Sequence, residues 1–150
     1  MPDPIILGSD HAGFELKEKV KKTLERLGVP FEDVGTHSAE SVDYPDFAHR
    51  VAEAVEKGRY GRGIVVCGTG IGVSMAANRH RGVRAAVAYD EETARLGREH
   101  NDANVLALGG RTIEPALADR ILEVWLKTPF AGGRHARRVA KIEPGSSEPK

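Results

Sequence analysis

Five short apolar runs, each closed by a glycine or a polar turn and separated by stretches of helical spacing, constrain this chain more than any other feature. They are "PIILGS", "VPFEDVG", "GIVVCG", "VRAAVAY" and "NVLALGG", near residues 6, 31, 65, 86 and 107. Runs of this length rich in Val, Ile, Leu and Ala predict strands buried on both faces. Between them, "GFELKEKVKKTLERLG" places Leu16, Val20, Leu24 and Leu27 on one helical face, with Gly28 as a C-terminal cap. "DYPDFAHRVAEAVEKG" does the same with Phe47, Val51 and Val55. "DEETARLGREH" and "EPALADRILEVWLK" follow, the latter with Leu117, Ile121, Leu122 and Trp125. The alternation predicts an α/β fold, an open three-layer α/β/α sandwich on a five-stranded parallel sheet. "GGRHARRVAKIE" predicts a final basic helix, and residues 144–150, "PGSSEPK", a disordered tail.

Length and charge narrow the partners. A chain of 150 residues suits one domain with a real core, here residues 1–143. Its 22 basic and 22 acidic side chains cancel, so no global field draws it to nucleic acid or to an anionic membrane. "MPDPIILGSD" lacks the features of a signal peptide, and no run approaches membrane-spanning length. A single cysteine rules out an internal disulfide and fits a reducing, cytoplasmic setting.

Ligands of such sheets bind at the carboxyl ends of the strands. That rule selects "GSDHAG", "CGTGIG", "YDEE" and "GGRT". In "CGTGIG" the lone Cys67 stands at a strand end before Gly68, Thr69, Gly70, Ile71 and Gly72. Small residues let backbone N–H groups converge, and a following helix turns its positive end to the loop, which suits a developing oxyanion. The same helix end favours a thiolate at Cys67. The plainer alternatives are a tight packing turn and a buried filler thiol. Nucleotide binding is disfavoured: "GTGIG" has the wrong spacing and strand for a dinucleotide fingerprint, and "GSDHAGFE" lacks the Lys-Ser/Thr pair of a phosphate loop. The six histidines form no metal pattern, and no cofactor is expected. "REHNDANV" groups His100, Asn101 and Asp102 before the fifth strand, either as chemistry or as a helix-terminal cation followed by turn formers. Arg134 and Arg138 lie four apart on one helical face; with Arg111 they suit a phosphate clamp, or else they form a solvated basic helix.

Taken together, "GSDHAGFELK", "DVGTHSAESVDYPDFA", "CGTGIGVSMAANR", "HNDANVLALGGR" and "GGRHARRV" resemble the signature blocks of ribose-5-phosphate isomerase type B, a family that also includes galactose-6-phosphate isomerase subunits. The blocks run in family order to about residue 142. The resemblance implies a Rossmann-like sandwich, a homodimer or dimer of dimers with shared active sites, and interconversion of ribose 5-phosphate and ribulose 5-phosphate without metal. It casts Cys67 as the proton-transferring base and His100 as the ring-opening acid/base. Asp10 and His11 become sugar contacts, Gly68 to Gly72 the oxyanion loop with Thr69, and Asn101, Arg111, Arg134 and Arg138 further substrate contacts. Tyr44 lies in a motif near the site. Family members that use a glutamate base carry it where this chain has Val73, which cannot take a proton.

The expected chemistry needs these residue types together. A closed furanose must open before its carbonyl activates the neighbouring C–H, which suits a histidine. A base then moves a proton between C2 and C1 while fixed donors hold the developing charge on oxygen. Two rivals stand beside this expectation. One is isomerisation of a six-carbon sugar phosphate such as allose or galactose 6-phosphate. The other is a sugar-phosphate-sensing module, which would need the clamp but neither base nor ring-opener. Val139 and Ile142 are too few to seat the last helix on its own domain, so that helix is expected to lie across a partner subunit.

Overall fold

The computed structural model describes residues 2–145, so residues 146–150 of the expected tail lie outside the described residues. Eleven elements alternate along the chain: β1 (Ile5–Ser9), α1 (Phe14–Arg26), β2 (Phe31–Asp33), α2 (Tyr44–Glu56), β3 (Arg62–Cys67), α3 (Ile71–Ala77), β4 (Ala85–Val87), α4 (Glu91–Glu99), β5 (Val105–Gly109), α5 (Pro115–Lys127) and α6 (Arg134–Ala140). All strand pairs are parallel, and the sheet order is β2-β1-β3-β5-β4. The two edge strands are only three residues long, shorter than their apolar runs suggest, because each finds a partner on one side only.

Strand side chains alternate between two cores. Ile5, Leu7, Ile64, Val66, Leu106 and Leu108 pack against α1 and α5, whereas Ile6, Val65, Cys67, Val105 and Ala107 face α2 and α3. The predicted faces hold: Leu16, Val20 and Leu24 of α1, Phe47, Val51 and Val55 of α2, and Ile121, Leu122 and Trp125 of α5 are all buried. Sequential strands leave β1 in opposite directions, β2 to one side and β3 to the other. The crevice outside the carboxyl ends of β1 and β3 is therefore the switch point where ligands bind in open sheets.

Within α1, one residue departs from its charged appearance. Lys17 is completely buried, and its Nζ donates to Asp33 Oδ1 at 2.7 Å and to the Thr36 carbonyl. Asp33 also accepts from Lys21 Nζ and from the Gly35 N–H. This cluster fixes the exit of β2 beside the end of β1, where Ser9 N–H donates to Gly35 O and Thr36 N–H to Ser9 O. The peptide bond between Gly35 and Thr36 is cis. Burial pushes the Asp33 carboxyl up, but hydrogen bonds from Lys17, Gly35 and Lys21 outweigh it and hold the group below the usual carboxylate range.

A depressed folded-state pKa stabilises the fold above the unfolded value, about 3.9, and that contribution is lost as pH falls through the folded value. Urea midpoints are therefore expected to show wild type more stable than Asp33→Asn near neutrality, with the gap closing below about pH 4. A gap that does not change with pH would show that the Asp33 charge is not what stabilises this corner. Lys17→Met, which removes the fully buried partner and leaves Asp33 only Lys21 and the Gly35 N–H, is expected to cost up to about 3 kcal/mol.

Candidate active site

The end of β3 and the turn that follows are shaped by two glycines. Gly70 adopts φ 81°, a left-handed conformation, and a Cβ there would lie 3.0 Å from the backbone of Leu108. This bend turns the Gly70 N–H back onto Cys67 Sγ at 3.2 Å. A Cβ on Gly72 would lie 2.6 Å from the Tyr44 ring, so the absent side chain is what lets Tyr44 lie over the loop. Cys67 is 5 % exposed and packs into the α2/α3 core at the start of the loop. The Ile71 N–H donates to Thr69 Oγ1 at 3.1 Å. That hydroxyl keeps its own hydrogen to donate, while the Gly70 and Ile71 N–H groups are engaged within the loop.

Neighbouring loops close around this turn. Gly110 N–H donates to the Cys67 carbonyl and Arg111 N–H to the Gly68 carbonyl, which ties the loop after β5 to the loop after β3. The Arg111 side chain runs beside Gly68 and forms no ion pair with a described residue. From the end of β1, Asp10 Oδ1 accepts the Gly13 N–H at 2.9 Å. His11 Nδ1 accepts the Val42 N–H at 3.1 Å, so a neutral His11 ring carries its hydrogen on Nε2. Asp10, His11, Cys67, Gly68–Gly72 and Arg111 thus gather at the switch point with Tyr44.

The remaining candidates do not join them. Val105, the first residue of β5, pairs with Gly63, whereas Gly109 at its far end pairs with Cys67. The loop carrying His100 and Asn101 enters β5 from below, roughly 13 Å or more along the strand axis from Cys67 at about 3.3 Å per residue. There the His100 ring stacks on His135, with centroids 4.3 Å apart and planes 12° apart. The Ala131 N–H donates to the Glu99 carbonyl, which ties the segment before α6 to the end of α4. Arg134 and Arg138 are not buried and, like Arg111, pair with no described acid. One chain therefore presents two half-sets of candidate residues, at opposite ends of its sheet.

Residues without an assigned role in the sequence hold this second set. Asp102 has φ 49°, and its carboxylate lies between Arg84 Nη2 and Arg98 Nη1, each at 3.2 Å. Arg98 is buried against the Trp125 ring and also donates to the Ala103 and Thr128 carbonyls. His135 is a further residue that sequence reasoning misses, although it stands between Arg134 and Arg138 in one block. Burial, then the charges of His100, Arg134 and Arg138, hold its imidazole below the ordinary histidine range, partly offset by Glu99.

An open parallel sheet with a thiol under a backbone N–H at its switch point, flanked by a carboxylate, a histidine and an unpaired arginine, has the form of an α/β enzyme for a small polar substrate. Comparison with known proteins assigns its kind. Residues 5–142 match the family model for ribose/galactose isomerase, and the chain belongs to that family. It is 46% identical to ribose-5-phosphate isomerase B of Escherichia coli over 138 residues, 92% of this chain and 93% of that protein. The solved ribose-5-phosphate isomerase B of Clostridium thermocellum superposes with a TM-score of 0.91 at 55% identity, covering 93% of this chain and 94% of that one. The Mycoplasma genitalium ribose-5-phosphate isomerase B, solved with bound ribulose-5-phosphate, gives 0.89 at 42% identity and covers 93% of each chain.

Gly70→Ala tests whether the bend serves the thiol. Gly58 has a similar positive φ of 74° but open space around it, so Gly58→Ala carries the backbone strain alone, about 1–2 kcal/mol. Both variants are expected to lose thermal stability, whereas only Gly70→Ala is expected to lose turnover. Equal activity in the two would detach the Gly70 turn from the chemistry.

Proposed function

We propose that this chain isomerises ribose 5-phosphate to ribulose 5-phosphate at sites shared between the subunits of a homodimer, with Cys67 as the base. The observation that carries this reading is the Cys67 thiol held under the Gly70 N–H at the switch point. The relatives named as ribose-5-phosphate isomerases, one with bound ribulose-5-phosphate, supply the substrate.

The steps follow from the chemistry of the groups. His100 moves a proton between the hydroxyl and the ring oxygen to open the furanose. Cys67 takes the C2 proton and leaves an enediolate, whose charge the Thr69 hydroxyl and nearby donors stabilise. The hydroxyl proton on O2 passes to O1, and the same thiol returns its proton to C1, giving the ketose. Arg111, Arg134 and Arg138 hold the phosphate, which takes no part in bond making and serves only to position the reacting carbons. Asp10, His11 and Asn101 bind the sugar.

Sharing between subunits is supported by the two half-sets and by the seat of α6. That helix buries none of its residues against its own domain, and Ile142 just beyond it is 49% exposed. Near the thiol, Ile71 and Met75 of α3 are exposed on successive turns of one helical face, an apolar surface a second subunit can cover. The two ends of the sheet meet only if another copy brings His100, Asn101, Arg134 and Arg138 to Cys67.

Cys67→Ser is expected to abolish solvent exchange of the substrate C2 proton while sugar-phosphate binding changes little. Exchange at the wild-type rate would falsify the base assignment. Sharing has its own test, in which inactive Cys67→Ala and Arg134→Ala proteins are mixed under subunit exchange. A symmetric dimer with sites built across subunits gives each mixed dimer one intact site, so activity is expected to recover to about a quarter of wild type. No recovery, once mass spectrometry has confirmed mixed dimers, would place both residues of a site on one chain.

A further inference from the structure

His135 has no part in the steps above, yet it makes the closest ring contact in the second half-set. Its imidazole lies face to face with that of His100, at 4.3 Å between centroids and 12° between planes. The contact is built from two backbone-tied elements. The His100 N–H closes the last turn of α4 on the Leu96 carbonyl, the Ala131 N–H donates to Glu99 O, and the His135 N–H donates to Gly132 O in the first turn of α6. Both rings are only partly buried, so no surrounding core fixes the His100 ring plane. The His135 ring covers one of its faces.

We infer that His135 is a positioning residue, a neutral aromatic platform that fixes the plane of His100 and supports its imidazolium during ring opening. The inference rests on the role proposed above for His100. A stacked neutral ring stabilises a cation across its face, as aromatic rings do for other cations within about 6 Å. It does so only while it is itself uncharged. The surroundings of His135 arrange this: loss of solvent first, then His100 at the end of α4 and Arg134 and Arg138 on its own helix, oppose its protonation, and Glu99 favours it. One proton is therefore accommodated on the pair and a second is disfavoured. His135 is therefore held as the uncharged ring of the pair.

The test compares His135→Phe, which keeps a flat uncharged ring, with His135→Ala and His135→Gln, which do not. Rates are measured from ribose 5-phosphate and from its 4-deoxy analogue, which lacks the hydroxyl that closes the furanose and so stays acyclic. Loss of the platform in Ala and Gln is expected to lower kcat on ribose 5-phosphate by about ten- to a hundredfold, with KM and the rate on the acyclic analogue little changed. Phe is expected to retain most of the forward rate. In a His100→Asn background, His135→Ala is expected to have no further effect, since the residue acts through His100.

Rescue by Gln but not Phe would overturn the inference in favour of a hydrogen bond from His135. A rise in KM at unchanged kcat would overturn it in favour of substrate binding. An effect of His135→Ala that adds fully to that of His100→Asn, or no effect of His135→Ala at all, would also overturn it. These results leave the role of His100 standing. If His100→Asn itself slows ribose 5-phosphate and the acyclic analogue equally, the ring-opening role falls and the positioning role with it. Circular dichroism melts of each variant separate these outcomes from unfolding, and Phe and Gln still decide the question if Ala does not fold.

Discussion

The parallel pairing of β3 with β1 on one side and β5 on the other is the constraint on which the rest of the molecule depends. It lines up the carboxyl ends of three buried strands, Ser9 beside Val66 and Cys67 beside Gly109. The loops that leave those ends have no choice but to meet. Hydrogen bonds from Asp10 N–H to Val66 O, Gly110 N–H to Cys67 O and Arg111 N–H to Gly68 O then stitch them into one floor. Register within the sheet also decides which way Cys67 faces. A one-residue slip would turn its sulfur from the α2/α3 side to the α1/α5 side and remove it from Gly70.

The same constraint separates what it does not gather. In a parallel sheet the loops before the strands and the loops after them lie at opposite ends, a strand length apart. The loop of His100 precedes β5 and the loop of Arg111 follows it, so a single domain of this topology holds them apart however its side chains move. Chain direction alone imposes this separation, whereas an exposed apolar patch could be covered in many ways. The second end is not loosely built, either. Asp102 is clamped by Arg84 and Arg98, and Arg98 is anchored on Trp125 at the centre of the α5 face. A loop held this firmly with its His and Asn at the surface has the rigidity that a catalytic group requires.

Much of this was legible in the sequence because it rests on periodicity. Runs of four to six apolar residues become strands, and faces such as Leu16-Val20-Leu24 become buried, since removing apolar surface from water is the main force that drives folding. The family blocks also bring out every candidate that stands at the switch point. Lys17 was not legible: in "FELKEKVKK" it reads as one more solvated cation, and only the tertiary meeting of α1 with the exit of β2 gives it Asp33 and the Thr36 carbonyl. His135 was hidden for a similar reason. Its partner is 35 positions earlier in the sequence, and nothing in local spacing records a ring stacked across two helices. The opposition of the two half-sets was implicit in strand direction, since "HND" precedes a strand and "CGTG" follows one.

A net charge of zero says little about the local field here. Arg26, Arg84, Arg95, Arg98 and Arg120 each lie against a carboxylate, whereas Arg111, Arg134 and Arg138 do not. Among the described residues, the unpaired guanidinium groups include all three that the family blocks single out. Leaving a guanidinium without an acid costs little at the surface, because exposed ion pairs contribute only about 0–1 kcal/mol. The same group beside a phosphate, with water excluded by a second subunit, interacts far more strongly, because the effective dielectric falls. Leaving these three without an acid among the described residues, as the chain also leaves Arg50, Arg59, Arg62, Arg79 and Arg137, therefore gives up almost no folding stability. In the proposed shared site they put positive charge beside a phosphate dianion, on a chain whose zero net charge presents no general attraction to other polyanions.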